Sequence, residues 1–470
     1  MNIRGTILFL LLGVPAGVLL LFGPGRAPHV PADRVVIRYW EKWSGVEGLA
    51  IKRLVNRFND TVGTERNIWV DYCAISNIEQ RLLIATAGGD PPDVAGVYDY
   101  SVPQYADQGA LLPLDELVRD SDIRLESFKP IWLDIGRYED RLMALPSTPY
   151  TIVLYYNRRL FREAGLDPDR PPRTTAELNE YALRLTRRDP ADPKGERIAQ
   201  LGFTSSPAML GWWHWIWPNF FDGRLWDGKR FTLDAPAGRA AVQWIAERRA
   251  ALGNRSVLEF EATSGAIEGA QNPFLSERLA MVFQGPWLAN WAKTYAPNLD
   301  YGVAAFPSVT AERQNVFAST DMFVIPRGSR HPRQAMVFLE FMLRQEHLEE
   351  LCREHGKASP FRMPCPDFFA KHPNPHIRTF DGLAASEYAF GYPKMPMWAQ
   401  AWSELLALHE SILRGVQPPL EALRDTQAKI DHIVEEYQSM AAKRRGSASV
   451  AANAEVAPAA VPMSTGGAKR

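Results

Sequence analysis

Apolar and polar residues alternate along this chain with two different periods, and the way those periods succeed each other predicts an architecture. Val35-Val36-Ile37-Arg38-Tyr39-Trp40 is a short β-branched and aromatic run, which predicts a strand. Residues 47–59 then place Leu49, Ile51, Leu54, Val55 and Phe58 at helical spacing. Residues 67–72 read as the next strand and 78–87 as a helix. Residues 93–97 form a short strand announced by Gly88-Gly89-Asp90-Pro91-Pro92. Strands alternating with helices predict an α/β domain with a largely parallel sheet. In such a sheet the ligand crevice lies beyond the carboxyl ends of the strands, here residues 41–45 and 98–100.

A second stretch begins near Pro146. Residues 151–156 are β-rich, 158–164 read as a helix, and Pro168, Pro171 and Pro172 interrupt the pattern. Thr174 or Thr175 caps the next helix, whose apolar face is Leu178, Tyr181, Ala182 and Leu185 and whose first turn holds Glu177. Further helices are predicted at 236–251, 332–344, 346–354 and 398–413. From residue 441 the chain turns to Ala, Ser, Gly, Pro and basic residues, which predicts a disordered tail over 441–470.

The opposite end carries Arg4 and then a nearly unbroken apolar run from Ile7 to Phe22. This fits an export signal within residues 1–32, cleaved after Val30-Pro31-Ala32 or retained as an N-terminal membrane anchor. The run is shorter than the ~20 residues that span a bilayer comfortably, and Pro15 and Gly17 weaken it as a helix. Either outcome predicts a periplasmic or other extracytoplasmic location. The first cysteine after the run is Cys73, which excludes a lipid-modified cysteine at its end.

Composition narrows the function. Lys plus Arg (53) and Asp plus Glu (54) nearly cancel, so no field of one sign gathers nucleic acid, and a neutral ligand is expected. Cys73, Cys352 and Cys365 are too few for a disulfide framework or a structural zinc site. Cys352 and Cys365 either pair or stay as two free buried thiols. The nine histidines show no metal-ligand spacing, and His355 and His376 are expected at the surface. Gly88-Gly89 lacks the Lys and Ser or Thr of a phosphate loop, and no nucleophile elbow occurs. No cofactor and no metal is predicted.

Several segments, in consistent order from about Val35 to Tyr437, resemble family 1 of the extracellular solute-binding proteins, the receptors of carbohydrate importers of the ATP-binding-cassette type. They are Gly88-Gly89-Asp90-Pro91-Pro92-Asp93-Val94 with Gly109-Ala110-Leu111-Leu112-Pro113-Leu114-Asp115; Tyr155-Tyr156-Asn157 with Leu160-Phe161-Arg162-Glu163-Ala164-Gly165-Leu166; Thr174-Thr175-Ala176-Glu177-Leu178; and Gly285-Pro286-Trp287 with Tyr301-Gly302-Val303-Ala304-Ala305-Phe306-Pro307. The resemblance implies a two-lobed periplasmic-binding-protein fold of the α/β class, with mixed sheets, flanking helices and hinge crossovers. The crossovers are placed near Ser147, Phe306 and Gly356, so that 33–147 with 306–355 make lobe 1 and 148–305 with 356–440 make lobe 2. It also implies a monomer that is not an enzyme, closing on a sugar or oligosaccharide and docking on permease subunits.

Sugar rings offer C–H faces to aromatic platforms and hydroxyls to polar forks. Five of the 14 tryptophans lie between Trp212 and Trp226, and those of Trp212-Trp213-His214-Trp215-Ile216-Trp217 cannot all share one helix face, so at least one is expected at the cleft. By resemblance Trp212, Trp213 and Trp215 face it, Trp287 stacks on a ring, and Trp398 adds another platform. From the first lobe the expected contacts are Glu41, Trp43, Tyr98 and Asp99, with Lys42 beside them. Tyr150 stands where maltose-binding members carry a carboxylate, which puts maltose itself in doubt. A sugar-cleaving enzyme and a sensor that docks on a membrane receptor remain alternatives.

Overall fold

The computed structural model describes residues 30–206, 213–265 and 269–455, with side chains through Arg444. The export segment up to residue 29, and Trp212, lie outside the described residues. Among the described residues no helix is long and apolar enough to cross a membrane.

Strand β1 (Val35–Glu41), helix α1 (Gly45–Asp60), β2 (Ile68–Ala74), α2 (Ile78–Ala87) and β3 (Val94–Tyr98) follow the expected order. β1 pairs in parallel with both β2 and β3. Ile37 and Tyr39 of β1 point under α1, whose Ile51, Leu54, Val55 and Phe58 are buried against the same core. The 3.6-residue period of α1 and the alternation of β1 therefore meet at one apolar surface.

The next strand, β4 (Leu145–Asn157), is buried along its whole length. Beyond it lie α3 (Thr175–Leu185), β5 (Ile198–Phe203), α4 (Pro236–Leu252), β6 (Leu279–Gln284), β7 (Tyr301–Ala304) and β8 (Val316–Val324). The chain ends in α5 (Pro332–Met342), α6 (Gln345–Glu354), α7 (Trp398–Arg414) and α8 (Pro419–Glu455). Thr174 caps α3 in a reciprocal box with Glu177.

The strands run in the order β2-β1-β3-β8-β4-β6-β5, with β7 added against β4. The sheet is mixed, as the family resemblance implies: the first three strands are parallel, whereas β8 is antiparallel to β3 and β4, and β4 is antiparallel to β6. These two strands carry the chain between lobes and so do not belong to the β-α-β repeat. β4 pairs with β8 over its first part and with β6 and β7 over its last, so the first crossing lies within this strand.

Phe306 bridges Asn315, Ser308 bridges Thr174, and the Val309 amide donates to the Phe220 carbonyl, which ties 306–315 to the second lobe. β8 then pairs with β3 of the first stretch. Past Gly356 the Lys129 amide donates to the Pro360 carbonyl, and Phe361 packs at 4.7 Å on Phe128, so the chain stays on the first lobe. It joins the second lobe by Ile377–Leu383, where Phe380 lies 6.0 Å from Tyr155. Helix α8 continues through residues 441–455, part of the segment expected to be disordered. Ala441, Ala442, Lys443 and Arg444 are strong helix formers extending a helix already seated by Ile430 and Val434. Residues 456–470 lie outside the described residues. All three cysteines are free: Cys352 is buried, Cys365 half-buried and Cys73 exposed.

Candidate functional site

Both loops expected to edge the crevice meet at the ends of β1 and β3. Glu41 closes β1, but its carboxylate accepts from the Tyr39 hydroxyl at 2.5 Å and from the Lys42 amide at 2.8 Å. It lies against Gly96 of β3, where any Cβ would collide with it. Glu41 is thus buried in the first lobe, its carboxylate held by a neighbouring phenol and amide.

Asp321, on β8, gathers the charges of this wall. Lys42 Nζ stands 3.1 Å from its Oδ1, Lys357 Nζ pairs with its Oδ2, the Thr148 hydroxyl donates to it at 2.5 Å and Trp43 Nε1 at 3.2 Å. The register between β8 and β4 breaks between Thr320 and Met322, opposite Pro149 and Pro146. Prolines give no ladder donor, and the interruption re-aims the side chain between them. Burial opposes ionisation of Asp321, yet Lys357 and Lys42 outweigh it and hold the carboxyl well below its usual range. Burial likewise disfavours the Lys42 cation, but Asp321 and Glu41 hold its pKa above the ordinary value.

Asp99 differs. It is buried after β3, and burial pushes its pKa up to about 7, with the Ser319 hydroxyl pulling the other way and Asp321 adding to the rise. His355, expected at the surface, is buried. Its Nε2 faces the Glu47 carbonyl at 3.2 Å, and burial, then Lys357, lowers its pKa to about 3. His376 is half-buried with its ring 4.9 Å from Tyr301. A histidine in this sequence carries no local mark of which surface it meets.

Rings connect the two lobes. Trp43 lies edge-on to Tyr98 at 6.0 Å, Tyr98 stacks on Tyr100 at 5.3 Å, and Tyr100 meets Tyr392 at 5.1 Å. Tyr392 touches Trp215 at 5.2 Å, which abuts Trp398 at 4.9 Å. Nearby, Trp287 sits between Tyr150 at 5.5 Å and Trp213 at 6.0 Å, its Nε1 donating to Gln284 at 3.1 Å. Its ring covers Gly285, which only a residue without Cβ permits. From Trp213 onward the described residues form a turn and the short 3-10 helix Trp217–Phe221, with Pro218 in its first turn. Trp213, Trp215 and Trp217 are all buried.

Beside this cluster an open cavity of about 840 Å³ runs between the lobes. Trp215, Phe390 and Tyr392 floor it, Tyr138 walls it from the first lobe, and Trp226 and Tyr388 wall it from the second. Asn219, Arg224, Asn315, Glu139 and Asp140 supply polar groups. Trp215 is the one expected site residue on this lining. Trp43, Tyr98, Asp99, Tyr150, Trp213, Trp287 and Trp398 form the packed cluster behind it, and Trp212 lies outside the described residues. Sequence reasoning missed Tyr100, Tyr138, Trp226 and Tyr392. Tyr100 adjoins a loop already singled out, and Tyr392 precedes the Pro-rich run before Trp398; these were the available signals.

Residues 42–347 match the family model for the bacterial extracellular solute-binding protein. This chain belongs to that family. Among curated solute-binding relatives it is similar to the sn-glycerol-3-phosphate-binding periplasmic protein UgpB of Salmonella typhimurium, 29% identical over 205 residues. That match covers 42% of this chain and 42% of the relative, so the chain spans less than half the length of that protein. A putative binding protein of Brucella abortus is 23% identical over 363 residues, covering 76% of this chain and 82% of the relative. Of solved structures, CpMnBP1 with mannotriose bound matches with a TM-score of 0.71 at 25% identity, covering 84% of this chain and 99% of that one. The sugar-binding protein MalE of Xanthomonas citri matches with a TM-score of 0.70 at 21% identity, covering 86% and 99%, and shares the fold.

Proposed function

We propose that this solute-binding protein takes a neutral sugar or oligosaccharide into the interlobe cavity, outside the cytoplasm, and presents it as a monomer to the permease subunits of an ATP-driven importer. The observation that carries this reading is the continuous path of rings from both lobes opening into one cavity of about 840 Å³. That size lies within the ~300–1,000 Å³ range of small-molecule sites. Aromatic floors suit the C–H faces of pyranose rings, and the polar rim suits their hydroxyls. The mannotriose held by CpMnBP1, a protein of the same architecture at 25% identity, supports the solute class.

Closure follows from the arrangement. Tyr138 comes from one lobe, Trp215, Trp226 and Tyr392 from the other, so a solute touching both lobes binds the closed form better and draws them together. A glycan array followed by titration calorimetry tests the proposal. A hit should also raise the melting temperature, by about 2.7 kcal/mol of added stability at a hundredfold excess over Kd. Failure of every glycan in both assays would overturn the solute class, and steady release of a smaller product would move the case to a carbohydrate-cleaving enzyme.

A further inference from the structure

Helix α8 belongs to the second lobe for most of its length. Gln427 Nε2 donates to the Phe231 carbonyl at 3.0 Å, the Asp234 amide donates back to Gln427 at 3.0 Å, and Lys429 pairs with Glu404 of α7 at 3.4 Å. Ile430 and Val434 are the last of its residues buried in the main core. The helix then leaves that support and reaches the first lobe. The Tyr437 hydroxyl donates to Asp107 Oδ2, and Arg444 Nη2 donates to the same oxygen at 3.1 Å.

Asp107 ends the short helix Val102–Asp107 of the first lobe, and its side chain is only 6% exposed. Its other oxygen accepts from the Tyr138 hydroxyl at 3.3 Å. Tyr138 is the residue by which the first lobe walls the cavity, on the hairpin of Arg137–Tyr138 and Arg141–Leu142. One carboxylate therefore joins the cavity wall of one lobe to the terminal helix of the other. Tyr437 and Arg444 are seven residues apart, two turns on one helical face, and the guanidinium lies 5.5 Å over the phenol ring. Such a helix is stiff, so moving the first lobe away from the second must break these bonds instead of bending the helix.

We infer that Asp107, Tyr437 and Arg444 form an interlobe latch that favours the closed lobes and thereby sets solute affinity and release. The inference rests on the two-lobe closure reading above. The bonds to a nearly buried carboxylate are charge-assisted, whereas an exposed Arg–Asp pair alone would contribute little. Tyr437 is thus the principal contact and Arg444 its support. Neither residue lines the cavity, so both act by positioning.

The test uses the full chain and small-angle scattering, with and without mannotriose as the probe. Tyr437→Phe with Arg444→Gln should raise the radius of gyration in the absence of mannotriose, while the cooperative melting transition persists. Asp107→Asn should reproduce that shift from the other side of the latch. Superimposable profiles for the wild type and both variants would overturn the latch. If the variants expand while mannotriose has no effect on the wild type, the latch stands and mannotriose is struck from the candidate solutes, the solute class itself being decided by the glycan array. If mannotriose compacts the wild type and the variants do not expand, the latch fails and the solute assignment stands. Should Asp107→Asn lose its cooperative transition, Tyr437→Phe alone, which keeps the packed ring, decides the question.

Discussion

The two walls of the cleft are built by opposite means. On the first lobe, polar groups are pinned to one another: Glu41 by Tyr39 and Lys42, and Asp321 by Lys42, Lys357, Thr148 and Trp43. On the second, flat rings are packed edge against face, Trp215 on Trp398 and Trp287 on Trp213. A ring can be a core residue on one face and a platform on the other, whereas a buried charge must be satisfied before any ligand arrives. The difference separates stability from binding. Charges on the first wall should govern whether the hinge region folds, and rings on the second should govern what it holds.

The largest expected effect comes from removing the hub of the first wall. Asp321→Ala leaves Lys42 and Lys357 buried without their shared carboxylate and should cost about 3–5 kcal/mol in urea unfolding. Because the folded-state pKa of Asp321 is depressed, its contribution is present above the unfolded carboxyl pKa of ~3.9 and is lost as pH falls below it. The gap between wild type and variant should narrow in acid. Equal stability at neutral pH would show that the second wall alone supports the hinge.

Next come two tryptophans that should divide along the same line. Trp287 is half-buried between Tyr150 and Trp213, so Trp287→Ala should destabilise the fold by about 2–4 kcal/mol, measured by the same unfolding assay. Trp226, on the cavity rim, should behave in reverse. Trp226→Ala is expected to weaken glycan binding by about 1–3 kcal/mol in calorimetry, with the melting temperature unchanged. Binding lost at Trp287 with stability kept would place the solute in the packed cluster instead of the open cavity.

Local patterns were legible, and distant partnerships were not. The capping box of Thr174 and Glu177, the span of α2 and the face of α1 follow from spacing within one element, and the structure matches them except at Leu49, which is exposed. β8 escaped because Ser319-Thr320-Asp321 interrupts its apolar run and reads as a loop, although all three residues are buried. Its polar groups are paid for by Lys42 and Lys357, residues far away in sequence that no periodicity links to it. The aromatic cluster was visible as composition, but Tyr138, Trp226 and Tyr392 come from three separate segments of the chain and meet through the fold alone. Glu41 looked available because a carboxylate after a strand gives no hint that a tyrosine two residues earlier will occupy it.

The smallest effect concerns Asp99, whose charge burial disfavours more than Ser319 and Lys42 support it. Its folded pKa of about 7 lies above the unfolded value of ~3.9, so the folded state binds the proton more tightly. Stability from this residue is therefore greatest below about pH 4, declines as pH rises between these two values, and is fully lost above the folded pKa. Asp99→Asn cannot ionise and should flatten that slope. At pH 8 the variant should be more stable than the wild type by on the order of 1–2 kcal/mol, less than the whole linkage because the new amide must also find partners. At pH 4 the two should unfold together. Matching stability slopes for the two proteins would mean that Asp99 titrates as an ordinary carboxyl and that its burial places no cost on its charge.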